Sequence, residues 1–183
     1  MSADIVRLIA PIDAPGLHLE QLDDRHRDAL GALCPADDAV WEIYPSSYAP
    51  DRFDASFAAM RADPGRRPFA LFADGVLVGM SGYLNIDAPN RVLEIGGTYL
   101  TPAARGTGLN RRIKDLLIDR AFAAGFHRIE FRIDIRNTRS IAAVEKLGAI
   151  REGVLRRQRI TWTGHVRDTA VYSILADEWP ARP

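Results

Sequence analysis

The segment 91–133 constrains the fold most, because its pattern predicts a strand, a glycine loop, a helix and a second strand in succession. Residues 91–100 are mainly apolar and stop at a proline, and residues 127–133 alternate apolar and polar side chains. Between them, residues 109–124 carry an apolar face at helical spacing, and Gly125 stands where a glycine ends a helix. Two strands joined by a helix in this way run parallel in a right-handed crossover. The segment therefore predicts a sheet with at least one parallel pair.

Antiparallel hairpins are predicted on both sides of this crossover. Asp74-Gly75 and Thr163-Gly164 are two-residue turn signals between strand-like runs. The other predicted strands are 5–10, 68–73, 76–84, 154–162 and 165–175, and the other predicted helices are 24–33, 38–44, 51–62 and 137–148. No linker-like stretch divides the chain, so we predict a single domain over residues 1–183. Its mixed sheet with flanking helices is an α+β or three-layer α/β fold.

Charge and cysteine content disfavour several classes of function. Lys+Arg and Asp+Glu both number 24, so the formal net charge is zero, which argues against a general nucleic-acid or membrane-surface role. The single cysteine, Cys34, rules out an internal disulfide and a zinc site of the CxxC type, and the four histidines show no metal-ligand spacing. We therefore expect no metal. No signal-peptide pattern and no apolar run of membrane-spanning length is present, so we expect a cytoplasmic protein.

The glycine loop and the helix after it combine features of an anion-binding site. Gly106 and Gly108 allow a phosphate to approach the free backbone N–H groups of the helix start closely. Four cations accumulate there, although each costs roughly 0.3–1 kcal/mol near the positive end of a helix: Arg105, Arg111, Arg112 and Lys114. The alternative is a glycine turn followed by a solvated basic helix face. A P-loop is excluded because no Gly-Lys-Ser/Thr closes the loop, and a dinucleotide-binding loop is disfavoured because an arginine occupies its third glycine position.

Four motifs, in order along residues 68–179, resemble those of the GNAT N-acetyltransferases, in particular the RimJ/RimL-like branch. The loop Arg105-x-x-Gly108-x-Asn110 resembles the Q/R-x-x-G-x-G/A pyrophosphate loop of that family. The other three are the strand start 93–96 (LEIG), the helix 137–148 (NTRS…EKLG) and the closing hairpin 151–179. The resemblance implies a mixed, mostly antiparallel sheet with a splayed parallel central strand pair and flanking helices.

The resemblance also implies acetyl-CoA as cosubstrate. In the family, the splayed strand pairs with the pantetheine arm and the glycine loop wraps the pyrophosphate. The residues implied in coenzyme binding are Tyr99, Leu100, Thr101, Arg105, Gly106, Thr107, Gly108, Leu109, Asn110, Arg111 and Asn137. This chain departs from the family pattern at Asn110, which replaces a glycine or alanine and whose side chain is able to bind a phosphate, and at Gly97, which is often aromatic.

Two residues are implied in catalysis. Glu94 occupies the strand position where several family members have a general base, and a carboxylate with a pKa near 4.3 needs burial or a water relay for that role. The alternative is that Glu94 pairs with a basic neighbour on the sheet. Val144 occupies the position of the tyrosine acid of many relatives, so the leaving thiolate takes its proton from Ser140, Tyr99 or water, or leaves without such assistance. Asn137 and Ser140 are also ordinary residues for a helix start.

The predicted function is an acetyl-CoA-dependent N-acetyltransferase that acts on a primary amine, either a protein N-terminus or a small molecule. The alternative is a non-catalytic CoA- or nucleotide-binding module, or a partner-binding domain on the same fold. Trp41, Tyr44 and Tyr48 either line the acceptor pocket or pack a helical flap on the sheet. We expect no nucleic-acid or membrane partner, and a monomer or homodimer.

Overall fold

The computed structural model describes residues 2–36 and 39–179, which are built around one eight-stranded sheet in the order β1-β2-β3-β4-β5-β6-β8-β7. The strands are β1 (Ile12–Ala14), β2 (Leu17–Gln21), β3 (Arg67–Ala73), β4 (Val76–Asp87), β5 (Val92–Leu100), β6 (Arg128–Asp134), β7 (Ile150–Ile160) and β8 (Val166–Leu175). The α-helices are α1 (Ile5–Ile9), α2 (Arg27–Ala32), α3 (Phe53–Ala62), α4 (Leu109–Ala123) and α5 (Thr138–Lys146). Short 3₁₀ helices cover Asp24–His26, Ala39–Glu42 and Pro102–Ala104.

The parallel pair predicted from the crossover is β5 and β6. They pair only along Val92–Glu94 and Arg128–Glu130, in the register Val92↔Arg128 to Glu94↔Glu130. Beyond Glu94, β5 stays with β4 and β6 stays with β8, so the sheet opens into a gap between its two halves. All other strand pairs are antiparallel. The predicted mixed sheet with a splayed parallel pair is therefore confirmed.

Helices cover both faces of the sheet, and each face has its own core. On one face, which we call the α4 face, residues of α1, α4 and α5 pack on alternate residues of the central strands. On the other, the α3 face, residues of α2, α3 and the Ala39–Glu42 turn pack on β3, β4 and β5. Hydrophobic burial on both faces gives the three-layer arrangement that the sequence predicted.

A bulge at Gly96-Gly97 changes which face of the sheet the residues of β5 occupy. Gly82 pairs with Gly96 and Met80 pairs with Tyr99, so Ser81 stands opposite two residues of β5. Gly97 takes the positive φ of 60° that such an extra residue often needs. Because of the bulge, Glu94 and Tyr99 lie on the same face although five positions separate them.

The N-terminal region differs from the sequence prediction. Residues 5–10 are not a strand: Ile5–Ile9 form α1, because the Asp4 carboxylate accepts a hydrogen bond from the Arg7 N–H (3.0 Å) and caps a helix there. The first strands are instead β1 and β2, a hairpin turned at Gly16, whose φ is 70°. Its two short strands carry too few alternating residues for the period-2 pattern to be distinct from the helical one.

The remaining predicted strands and helices, except the helix 38–44, are confirmed within a few residues. The hairpin turns at Asp74-Gly75 and Thr163-Gly164 connect β3 to β4 and β7 to β8. The predicted helix 38–44 is a 3₁₀ turn, Ala39–Glu42, and its first residue, Asp38, lies outside the described residues. Within residues 2–36 and 39–179, every helix is too short or too polar to cross a membrane.

Candidate active site

The start of α4 forms an open cradle of backbone N–H groups. Gly108 caps the helix in the left-handed region, at a φ of 85°, and no side chain bonds to the cap. Within the described chain, no hydrogen bond forms from the N–H groups of Gly106, Thr107, Gly108 or Asn110. A Cβ at Gly106 or Gly108 would meet no atom within 4 Å, so the space above the loop is empty. Unsatisfied N–H groups and open space are what an anion needs at a helix N-terminus.

Side chains of the loop fix this cradle in place. The Thr107 hydroxyl donates to the Ala104 carbonyl (2.9 Å) and accepts a long hydrogen bond from the Leu109 N–H (3.4 Å). Leu109 is buried in the core of the α4 face. The Oδ1 atom of Asn110 is buried and has no hydrogen-bond partner among the described residues, which marks a polar group that a ligand can satisfy.

The cations of the loop are directed to separate places. Arg105 donates from Nε to the Leu100 carbonyl (2.8 Å) and lies 5.4 Å over the Tyr99 ring. Arg111 pairs with Asp115 (2.9 Å) and donates to the Lys146 carbonyl (2.8 Å), which ties the start of α4 to the end of α5. Arg112 reaches back to the Pro15 carbonyl.

Lys114 contradicts the prediction that four cations surround the helix start. It is only 6% exposed, and its ammonium points under the sheet to Thr98 Oγ1 (2.6 Å) and Ser81 Oγ (3.1 Å). Burial removes water from the ammonium and lowers the pKa of Lys114 to about 7, although Glu94 acts in the opposite direction. The sequence contained the signal for this, because position 114 shares a helical face with the buried Leu117, Ile118 and Ala121.

Between the two sheet halves, the backbone of β5 turns alternate residues toward the gap. The Thr101 N–H donates to the Val78 carbonyl of β4 (2.9 Å), so by alternation Thr98 and Leu100 direct their backbone groups toward the gap. The Thr98 carbonyl accepts from the Tyr44 hydroxyl, and the Leu100 carbonyl accepts from Arg105. Of the three strand residues predicted to contact the coenzyme, Leu100 therefore presents its backbone to the gap, whereas Tyr99 and Thr101 turn theirs to β4.

Glu94 lies where β5 and β6 separate, on the α3 face. It is 9% exposed; its Oε2 atom accepts a hydrogen bond from Asn85 Nδ2 (2.7 Å), and the Arg132 guanidinium is 3.9 Å away. Burial raises the pKa of Glu94 above its ordinary value, while the Asn85 hydrogen bond and the nearby arginines hold that rise in check. A carboxylate with a raised pKa at the mouth of a gap has the properties of a proton acceptor.

Asn137 and Ser140 form the start of α5, next to the end of β6. The Asn137 side chain caps this helix by accepting from the Ser140 N–H (3.0 Å). Ser140 is half-buried, and within the described chain it makes no hydrogen bond to Glu94. The two predicted catalytic residues are therefore on different elements and share no hydrogen bond among the described residues.

Aromatic side chains pack together on the α3 face beside the gap. Trp41 stacks on Tyr99 with ring centroids 4.9 Å apart, and the Tyr99 hydroxyl donates to the Leu33 carbonyl (2.7 Å). Trp162, at the tip of the β7–β8 hairpin, donates from Nε1 to the Trp41 carbonyl (2.6 Å). A cleft of about 340 Å³ opens beside these residues and has Glu42 and Asp51 in its lining. The sequence indicated Trp41, but Trp162 was missed because its role depends on the bend of a hairpin.

The described residues, 2–36 and 39–179, contain no group of three or more His, Cys, Asp or Glu side chains placed to hold a metal ion. The polar groups of the site are instead backbone N–H groups, one buried carboxylate and arginines.

Comparisons with known proteins agree on one family. Residues 35–149 match the model of the acetyltransferase (GNAT) family. The chain is 27% identical over 175 residues to the Bacillus subtilis (strain 168) protein named "Putative ribosomal N-acetyltransferase YdaF", a match that covers 95% of this chain and 92% of that protein.

Solved structures give the same result. A structure described as a probable acetyltransferase of the GNAT family from Chromobacterium violaceum has a TM-score of 0.90 and 32% identity, over 98% of this chain and 92% of that one. The structure of Mycobacterium smegmatis RimJ in complex with CoA-disulfide has a TM-score of 0.76 and 25% identity, over 93% and 88% of the two chains.

Proposed function

The chain belongs to the acetyltransferase (GNAT) family, and from this premise we propose that it transfers the acetyl group of acetyl-CoA to a primary amine, on a protein N-terminus or on a small molecule. The proposal rests on one observation: the same structure has a gap between β5 and β6 and an open cradle of N–H groups at the start of α4. Family membership identifies an acyltransferase, so the alternative of a non-catalytic binding module is not favoured. A cytoplasmic location and a monomeric or homodimeric state stay predictions.

The chain's own residues fit the coenzyme. The N–H groups of Gly106, Thr107, Gly108 and Asn110 suit a pyrophosphate, and the empty space above both glycines leaves room for it. The Oδ1 atom of Asn110 has no partner in the described part of the chain, and a half-turn of the amide presents its Nδ2 donor to a phosphate. RimJ of Mycobacterium smegmatis, a similar structure, was solved with CoA-disulfide.

The other predicted residues frame this cradle. Arg105 precedes the cradle in the chain and Arg111 follows it, and both add positive charge near it. Leu100 presents its backbone to the gap and suits the pantetheine arm, and Asn137 follows the end of β6, the other strand that borders the gap. Three of the predicted residues contribute indirectly, because their side chains or backbone groups fix the end of β5 and the start of α4: Tyr99, Thr101 and Leu109.

The bound coenzyme supplies a thioester carbonyl that an amine attacks. Glu94 takes the proton that the substrate ammonium must lose, because its raised pKa brings the carboxylate closer to the pH at which it works. The new N–C bond replaces the C–S bond, and Ser140 or water returns a proton to the thiolate. Trp41 and Trp162 keep bulk water from the acceptor side.

A thermal-shift experiment with acetyl-CoA tests the proposal. A ligand at 100 times its Kd stabilises a protein by about 2.7 kcal/mol. For a chain of this size, about 2–4 °C follows per kcal/mol, so we expect a rise in Tm of about 5–10 °C. The same sample is then assayed for release of free thiol with a panel of amines and N-terminal peptides. No shift in Tm with acetyl-CoA or any other acyl-CoA would refute the proposal.

A further inference from the structure

A buried arginine lies on the α3 face of the sheet without a carboxylate partner. Arg167 of β8 is 5% exposed; it donates from Nε to Thr169 Oγ1 (2.9 Å) and from Nη2 to the Arg132 carbonyl (3.3 Å). Among the described residues, no carboxylate oxygen lies within 4.0 Å of its guanidinium. A buried charge without a counter-charge is costly, and arginines are rarely buried unless they are paired.

The strand beside it brings a second arginine to the same place. Arg159 of β7 is directly opposite Arg167 in the antiparallel register, so the two side chains leave the sheet on the same face. Two like charges at directly opposite positions destabilise a strand pair. Burial, first, and then the charge of Arg159 lower the pKa of Arg167. Asp134 and Glu94 act on Arg167 in the opposite direction, but neither lies within ion-pair distance, so the two arginines form a site of excess positive charge.

The acidic groups on the surrounding elements have other partners. On β6, Asp134 accepts two hydrogen bonds from the Arg136 side chain (3.0 and 2.7 Å). Glu130, also on β6, bonds to Arg128 and Arg132. On β5, Glu94 has a raised pKa and pairs with Asn85. The nearby carboxylates are thus engaged, and the positive charge at Arg159 and Arg167 remains.

The site lies on the acceptor side of the gap, on the same face as Glu94. Leu93 and Ile95 pack on the α4 face, so Glu94 between them points to the α3 face; Ala170 and Tyr172 likewise place Arg167 and Thr169 there. The charge of Arg159 affects the pKa of Glu94, and the charge of Glu94 affects the pKa of Arg167. Both arginines are therefore within electrostatic range of a ligand whose amine reaches Glu94.

We infer that Arg159 and Arg167 form an anion subsite for the acceptor, and that this enzyme prefers amines that carry a carboxylate in the same molecule. The inference rests on the proposed function, because it describes the second substrate of that reaction. A planar guanidinium group matches a carboxylate with two parallel hydrogen bonds, and the burial of Arg167 strengthens those that it makes. The carboxylate also supplies a counter-charge at ion-pair distance, where the described residues offer Arg167 none.

The test compares amines that differ only in this charge. The probes are glycine, β-alanine, γ-aminobutyrate and glycylglycine, each as the free acid and as its amide, with acetyl-CoA saturating. We expect kcat/KM to favour the best-fitting acid by at least about tenfold, mainly through KM. An amide makes the neighbouring amine easier to deprotonate, so intrinsic reactivity works against the expected result.

Variants assign the preference to the two arginines. Arg159→Ala removes an exposed side chain and should bring the acid-to-amide ratio close to one; Arg167→Met tests the buried partner. Arg151→Ala is the matched control, because it lies on the same strand opposite Tyr172 and faces the other side of the sheet. This control should keep the full ratio.

Two outcomes overturn the inference: a ratio close to one in the unmodified enzyme, or a ratio that Arg159→Ala leaves unchanged. If no amine of the panel is acetylated, the Tm of the complex with CoA is measured with each acid and each amide. Acids that raise this Tm no more than their amides do also overturn the inference. Failure of the proposed function has a different signature, since acetyl-CoA itself would then leave Tm unchanged.

Discussion

Lys114 gives the sharpest prediction for stability, because its ammonium group is buried and, within residues 2–36 and 39–179, has only two hydroxyls as partners. Thr98 Oγ1 and Ser81 Oγ lie 2.6 and 3.1 Å from Nζ, and they also bond to each other (2.8 Å). The substitution Lys114→Met keeps the length of the side chain and removes the charge. The two hydroxyls keep one another as partners, so the variant leaves few unsatisfied polar groups.

The magnitude follows from the pKa of Lys114, which falls from 10.5 to about 7 on folding. Between these values the unfolded chain binds the proton and the folded chain does not, so the free energy of unfolding rises with pH. The slope reaches about 1.4 kcal/mol per pH unit. Lys114→Met lacks this contribution, and its advantage over the unmodified protein should therefore be largest below pH ~7 and shrink as the pH rises.

Melting temperatures of both proteins, measured at intervals from about pH 6.5 to about pH 9.5, provide the assay. The difference in Tm should narrow by about 3–5 °C per pH unit, since 1 kcal/mol corresponds to about 2–4 °C at this chain length. The chain's other lysine, Lys146, is exposed on α5, and Lys146→Met serves as the control with no such trend expected. If the curves of the unmodified protein and Lys114→Met run parallel, the buried ammonium does not titrate as argued.

Two further predictions concern the site. Gly108→Ala should weaken acetyl-CoA binding, because the added Cβ enters the space above the loop. Gly164→Ala, in the distant hairpin turn, is the control, because Gly164 has a similar φ (81°) and equally open surroundings. It should lose the same backbone stability, about 1–2 kcal/mol, without loss of affinity. Equal affinity of both variants, by calorimetry, would contradict the phosphate cradle. Glu94→Gln should lose turnover and keep coenzyme affinity. Asn85→Gly removes a hydrogen bond that lowers the pKa of Glu94, so the acid limb of the pH profile of kcat/KM should shift to higher pH. A limb that stays in place in Asn85→Gly would argue against Glu94 as the base.

The parts of the fold that the sequence predicted are those with a strong local signal. The crossover 91–133 has long periodic segments with a glycine at each boundary, and the two hairpin turns are two-residue signals. The N-terminal hairpin was missed because β1 and β2 are three and five residues long, and their pairing with β3 depends on contacts distant in sequence.

The candidate site was predictable where it consists of a local sequence motif, and less so where side chains from distant strands meet across the sheet. The glycine loop and Glu94 follow from local motifs. The arginines of β7 and β8 do not, because only the register places Arg159 opposite Arg167, and a bulge between Leu155 and Arg159 sets that register. Lys114 was assigned to the wrong side of its helix because its charge outweighed its helical position.

Lys114 and Arg167 are buried on opposite faces of the sheet, and they differ in whether the side chain is able to lose its proton. A lysine escapes the cost of burial by losing its proton, as Lys114 does near pH 7, whereas an arginine stays charged and needs an anion. Arg167→Lys should therefore change the acceptor preference from constant to pH-dependent. At about pH 6 the substituted ammonium should keep part of the preference for carboxylate acceptors, and by about pH 9 burial and Arg159 should have driven off its proton and most of that preference. The measurement is the acid-to-amide ratio of kcat/KM at each pH, relative to the unmodified enzyme so that titration of the amines cancels. A relative ratio that stays constant over this range would show that the charge at Arg167 does not contact the acceptor.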